Sequence, residues 1–309
     1  MTGSDIAIIE VGLVDGLQSI EDFVPTAAKM QWISAEVAAG LRHMEVTSFV
    51  PAKLLPQFSD AEEVLAHALT LPGLGARVLI PNLKGAQRAV AAGARSLSYA
   101  FSVSEAHSHS NVRKSRDAQF ADFVGIMEFR RSLEPARRPY VSVGFATSFG
   151  CSIQGTVSER DVVDFACRFV EAGADDIALA DTVGYATPHQ VTRVVRSVRT
   201  EIGERLKGIH LHDTRGLGLA NAVAALDEGI REIDASLGGL GGCPFAPGAT
   251  GNIVLEDLVY MVEAMGFRTG VNLESLLELR RWVTGLLAGD PMRGNIVRAG
   301  LPKTFKVTS

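Results

Sequence analysis

The chain has 309 residues, 47% hydrophobic and 21% charged, the balance of an ordinary globular protein long enough to bury a large core. Its formal net charge is −5 and its 30 Lys and Arg are dispersed, which excludes a basic field for nucleic acid or an anionic membrane. The cysteines Cys151, Cys167 and Cys243 fit neither a disulfide framework nor a zinc knuckle, and no apolar run reaches the ~18 residues of a membrane span.

Short β-branched runs alternate with helical stretches eight times. The first strand covers residues 6–12, with Glu10 near its end and Asp15 just beyond, and a helix over 26–40 follows. The second, 43–49, carries Glu45, Thr47 and Ser48 and leads to a helix over 60–71. The third, 77–80, runs to Asn82 before a helix over 83–93. The fourth, 96–103, opens into a loop over 104–111 and a helix over 117–133. The fifth, 140–146, precedes a helix over 159–173, and the sixth, 176–180, ends in Asp181-Thr182 before a helix over 188–202. The seventh, 208–212, carries His210 and His212 and leads to a helix over 217–229. The eighth, 232–236, is followed by a glycine-rich loop over 238–247 that holds Cys243. Two further helices are expected over 252–266 and 273–285, and the basic tail from Gly289 onward either packs on the barrel or stays mobile.

Several helices stop at Gly40, Gly93, Gly173 or Gly229, the residue type that ends helices in the left-handed conformation. Eight such units without a low-complexity linker predict a TIM (β/α)8 barrel with extra C-terminal helices, one catalytic domain over residues 1–309. The turn after the first strand, Val11-Gly12-Leu13-Val14-Asp15-Gly16, lacks the glycine spacing of a dinucleotide fold. Residues 1–10 lack the layout of a signal peptide, so a reducing cytoplasmic setting is expected, with a homodimer as the assembly.

Function in such a barrel sits at the C-terminal strand ends. Polar residues collect there, and the opposite ends show no comparable polarity on this reading. His210 and His212 are two apart on a strand and face one side, so both imidazoles can share a metal with Asp15 as a hard oxygen. The bland alternative has one histidine packing and the other capping a loop. A mixed nitrogen–oxygen set suits Mg²⁺ or Mn²⁺, with Zn²⁺ also open. The glycine loop is either a plain turn or a lid that carries the Cys243 thiol over a ligand.

These positions resemble the 3-hydroxy-3-methylglutaryl-CoA lyase family, within the larger group of metal-dependent barrels that includes homocitrate and isopropylmalate synthases. The likeness runs over Glu10-Val11-Gly12, Asp15-Gly16-Leu17-Gln18, Glu45-Val46-Thr47-Ser48, Pro81-Asn82-Leu83-Lys84-Gly85, Asp181-Thr182-Val183-Gly184, His210-Leu211-His212-Asp213 and Gly239-Leu240-Gly241-Gly242-Cys243-Pro244. The resemblance implies a divalent cation on Asp15, His210, His212 and Asn252, with Glu45 and Asp181 shaping the polar site. It implies Cys243 on a mobile catalytic loop, and Gln18, Ser48, Asn82, Lys84 and Thr182 near an acyl-CoA substrate. The reaction it implies is retro-Claisen cleavage to acetyl-CoA and a keto acid such as acetoacetate, as in leucine degradation, with His210 as base.

One position departs from the family motif, which has arginine before the aspartate, where this chain has Val14. Valine offers neither charge nor hydrogen bond, and loss of one preorganised donor costs roughly 10²–10³ in rate. Three readings follow. Another cation substitutes, Arg215 first and Arg113 or Lys114 next; the substrate has changed; or the chain only binds a CoA ester. Arg215 could equally be a solvated loop residue, and Arg113 or Lys114 could serve CoA phosphate.

Overall fold

The structure, a computed structural model, describes residues 4–242, 251–287, 289 and 292–305. The eight strands are β1 (Ala7–Glu10), β2 (His43–Ser48), β3 (Gly75–Ile80), β4 (Ser96–Ser102), β5 (Tyr140–Ala146), β6 (Asp176–Asp181), β7 (Leu206–Leu211) and β8 (Glu232–Ala235). All pair in parallel and in chain order, and β8 closes on β1. The sequence-predicted strands match these within about two residues, which is the usual slack of strand ends.

The helices are α1 (Thr26–Ala38), α2 (Ala61–Ala68), α3 (Leu83–Ala91), α4 (Glu105–Val112), α5 (Arg116–Ser132), α6 (Glu159–Ala172), α7 (Pro188–Ile202), α8 (Gly218–Asp227), α9 (Leu255–Ala264), α10 (Leu273–Leu286) and α11 (Ile296–Ala299). The main core lies between barrel and helix ring. Leu97, Tyr99 and Phe101 of β4, Val141, Val143 and Phe145 of β5, and Ile209 and Leu211 of β7 point outward into it. The rings of Phe101 and Phe169 meet within it at 4.7 Å, tilted by 54°. Because side chains alternate along a strand, the residues between these point to the barrel axis.

One expectation changes and one open alternative is decided. The loop expected over 104–111 is the helix α4, started by Ser104, whose hydroxyl accepts the His107 amide, and held by the Glu105–Arg116 ion pair. Its polar composition, Glu-Ala-His-Ser-His-Ser-Asn-Val, hides any apolar period. The described part of the tail packs on the barrel: Asp257 accepts the amides of Asn295 and Ile296, and Arg280 donates to the Arg293 carbonyl. No helix among the described residues is long and apolar enough to cross a membrane.

Candidate metal centre and active site

Asp15 sits in a tight turn, Gly12–Gly16, that leaves β1. His210 lies on β7, and His212 follows the strand, pairing with Asn252 as an isolated antiparallel bridge. Reciprocal backbone bonds, Asp213 N–H to the Gly251 carbonyl and Ile253 N–H to the Leu211 carbonyl, lay the 251–253 segment against this strand end. Asn252 is thus delivered to the site by pairing across the sheet.

The possible ligand atoms of Asp15, His210 and His212 all lie within 4.8 Å of one another. The His210 and His212 Nε2 atoms are 3.0 Å apart, and His212 Nε2 is 3.7 Å from Asp15 Oδ2. Ligands around an ion with bonds of about 2.0–2.1 Å stand roughly 3 Å from each other, so the spacing fits a shared cation. Asn252 donates its amide to Asp15 and, at 2.8 Å, to the Leu240 carbonyl, while its Oδ1 is buried without a hydrogen-bond partner. A buried, unspent carbonyl oxygen beside three metal-type donors suits a fourth ligand. Gln18 donates to Asp15 Oδ1 at 2.7 Å and fixes the carboxylate.

Behind the first ligands stands Asp234 of β8, whose Oδ2 is 3.1 Å from His210 Nδ1. Burial disfavours the charged imidazole, yet Asp234, with help from Asp15 and Glu45, raises His210 to about 9. Asp15 feels the opposite pull: burial would raise it, but His212, His210 and Asn252 together hold it below the usual carboxylate range. Glu45 faces the axis beside Arg77, its register partner on β3. Burial pushes Glu45 up to about 7, against the lowering charge of Arg77, and Asp234 and Asp15 add to the rise. Its proton affinity therefore matches neutral solution.

Asp181 accepts the amides of Tyr185 and Ala186, so its carboxylate holds the loop after β6. Thr182 accepts the Thr147 amide at 2.8 Å, and Thr147 in turn accepts the Ser104 amide, lacing the tops of β4, β5 and β6. Ser48 is buried and accepts the Val50 amide; Asn82 caps α3 through the Gly85 amide; Lys84 is exposed. Arg215 donates to the carbonyls of Val183 and Gly184 and lies over the Tyr185 ring at 4.4 Å. Cys243 lies outside the described residues.

Val14 is 1% exposed, packed inside the turn. Sequence reasoning missed Asp234 and Arg77. Both are charged residues alternating with apolar ones in a buried strand, Glu-Ile-Asp-Ala and Gly-Ala-Arg-Val, and that alternation was the available signal. It also overlooked the polar lower rim: Tyr140 and Ser142 both donate to Asp176, and Lys207 donates to the Tyr140 hydroxyl.

The HMGL-like family model matches residues 5–283. The mitochondrial hydroxymethylglutaryl-CoA lyase of Mus musculus is 41% identical over 88% of this chain and 83% of its own. The cytoplasmic 3-hydroxy-3-methylglutaryl-CoA lyase of Homo sapiens is 39% identical over 88% of this chain and 73% of its own. Among solved structures, an HMG-CoA lyase from Acinetobacter baumannii in complex with coenzyme A and 3-methylmalate superposes with a TM-score of 0.91 at 39% identity, covering 99% of both chains. The barrel, the ordered strand ends and these likenesses together place the chain in the HMGL-like family, that of the hydroxymethylglutaryl-CoA lyases.

Proposed function

We propose that this protein is a divalent-metal-dependent carbon–carbon lyase that cleaves 3-hydroxy-3-methylglutaryl-CoA, or a close 3-hydroxyacyl-CoA analogue, to acetyl-CoA and a keto acid such as acetoacetate. The observation that carries this reading is the convergence of Asp15, His210, His212 and the unspent Asn252 carbonyl at the top of the barrel. These four residues would hold Mg²⁺ or Mn²⁺, and such an ion acidifies a coordinated hydroxyl and neutralises carboxylate charge.

The chain's own groups then divide the work. Both ring nitrogens of His210 are engaged, one facing His212 and the other Asp234, so the axial Glu45 is the better proton acceptor for the 3-hydroxyl. As that proton leaves, the C2–C3 bond breaks, the C3 carbon becomes the ketone of the departing acid, and the electron pair remains on C2. C2 then takes a proton to give acetyl-CoA, and Cys243 is the candidate donor. Asp181 keeps the loop after β6 in place. The free Cys151 and Cys167 suit a reducing compartment, which we take to be the cytoplasm.

The test is release of acetyl-CoA from the methylglutaryl ester by metal-stripped protein resupplied with Mg²⁺ or Mn²⁺. Rate restored by metal and lost in Asp15→Asn supports the proposal. Full metal binding with no cleavage of any 3-hydroxyacyl-CoA would sink it in favour of a binding protein.

A further inference from the structure

The barrel axis is open on one side, where bulky branched residues ordinarily fill a barrel of this type. Ala100, Gly144, Ala178 and Gly208 are successive register partners on β4 to β7. Their chain neighbours point outward into the core, so these four point inward. Ala100 is exposed although it lies mid-strand in a closed barrel, and Gly144 and Ala178 are only half-buried. A Cβ added to Gly144 would meet nothing within 4 Å. Gly208 itself is buried, and a Cβ there would meet the Ala178 Cβ at 3.2 Å, so the open wall is formed by Ala100, Gly144 and Ala178. His210 pairs with Ala180, two residues above Ala178 on the same strand face, so the wall lies one step below the level of the candidate ligand on the neighbouring strands.

A second observation points into the same space. Arg77 projects from β3 toward the axis, with its side chain 17% exposed, and its nearest carboxylate partner, Glu232, is 3.9 Å away. That separation lies beyond hydrogen-bond range. No side-chain hydrogen bond ties the Arg77 guanidinium to a described residue, and at 17% exposure its fork of five donors faces space that water or a substrate oxygen can occupy. Glu45, Asp176, Glu232 and Asp234 surround it with negative charge, which keeps it ionised and makes a further carboxylate an unfavourable visitor. A neutral oxygen acceptor suits that setting.

We propose that the bore is a substrate subsite: it takes a C3 substituent longer than methyl, running down the Ala100–Gly144–Ala178 wall and ending in a carbonyl or hydroxyl oxygen beside Arg77. Two residues of strand rise about 6.5 Å, so a chain of about five carbons spans one step, and the long Arg77 side chain, which reaches to 3.9 Å from Glu232, the register partner of Gly208, covers the rest. The reaction is the one proposed above. The same C2–C3 bond breaks, and the substituent departs on the ketone product. This inference rests on the lyase reading and names its substrate class.

The experiment compares three CoA esters on the metal-loaded protein: 3-hydroxy-3-methylglutaryl-CoA and its analogues with pentyl or 4-oxopentyl in place of the C3 methyl. Rates and calorimetric affinities are both measured. The 4-oxopentyl ester is expected to exceed the methyl ester in kcat/KM by about tenfold or more, the scale on which a fitted pocket discriminates added carbon. Gly144→Val should cut that ratio by about tenfold, with a melting curve to show that the variant is folded, and Ala100→Leu serves if it is not. Arg77→Met should erase the advantage of the oxo ester over the pentyl one. A wild-type preference for the methyl ester, or a ratio unmoved by a folded Gly144→Val, overturns the bore. If no ester is cleaved but the longer ones bind more tightly, the lyase reading falls and the subsite stands; equal affinities for all three, with no cleavage, overturn both.

Discussion

Asp234 is the carboxylate through which β8 orients His210, the candidate ligand carried by β7. Its contact with His210 Nδ1 fixes the ring plane and leaves Nε2 for the shared site. Asp234→Asn should therefore weaken Mn²⁺ binding by about 10–100-fold, the cost typical of losing such a partner, as read by titration calorimetry. Unchanged affinity would show that packing alone orients the imidazole. Position 14 behaves differently. Val14 is closed into its turn, so Val14→Arg must either bury a charge or open the turn. It is expected to lower stability by at least roughly 1–3 kcal/mol in urea denaturation. Arg215 is occupied by two carbonyls and a tyrosine ring, so Arg215→Met should loosen the loop after β6 and affect the rate only modestly. A fall of about 10²–10³ in kcat at constant KM would instead make it the donor that replaces the missing arginine.

At the scale of elements, the base of the glycine loop is anchored from outside the barrel. Glu256, fully buried on α9, accepts the Gly238 amide and pairs with Arg280 of α10 at 3.1 Å. Arg293 of the tail donates to the Gly239 carbonyl at 2.7 Å, while its own amide donates to Gly238. Met292 closes the remaining side, since a Cβ on Gly238 would lie 2.9 Å from its Cγ. The positive φ of 63° at Gly238 adds a second reason for glycine there. Arg280→Met strands a buried carboxylate, and breaking such a pair costs about 3–5 kcal/mol. The denaturation midpoint should drop accordingly, and a Glu256→Gln/Arg280→Met double variant should recover part of the loss. These helices were readable in the sequence because their apolar period is strong. The clamp was not, because Glu256, Arg280 and Arg293 are separated by 24 and 13 positions and only docking brings them together.

Taken whole, the molecule buries an unusual amount of acid. Burial is the leading cause that holds Glu10, Glu45 and Glu256 up to about 7, and it raises Glu36 as well. His210 is also raised, to about 9, where Asp234 overcomes the opposing effect of burial. A raised pKa means that the folded state keeps its proton more tightly than the unfolded chain. Stability from such groups is complete below the unfolded value, 4.5 for glutamate and 6.5 for histidine, and fades as pH passes the folded value. The melting temperature of the metal-free protein should therefore fall as pH climbs from about 5 to about 9. A melting temperature that rises over that range would contradict the buried-acid picture. Metal should flatten the slope by ordering the same carboxylate and imidazoles into a bound state.

The eight alternating strands, the helix stops at glycine, the inward pairing of His210 with His212 and the placement of Asp15 at a strand end all follow from local pattern, because a strand has period two and a helix end needs a left-handed residue. The sequence by itself therefore determined the barrel, three of the four candidate ligands and the departure at Val14. Tertiary structure alone decided the rest. Asn252 reaches the site through a bridge to His212, Asp234 reaches His210 across a strand pair, and Arg77 meets Glu45 by sheet register. The hollow side of the bore is a property of three strands together: Ala100, Gly144 and Ala178 are each unremarked in their own segments. They form one wall only because strand register sets them side by side.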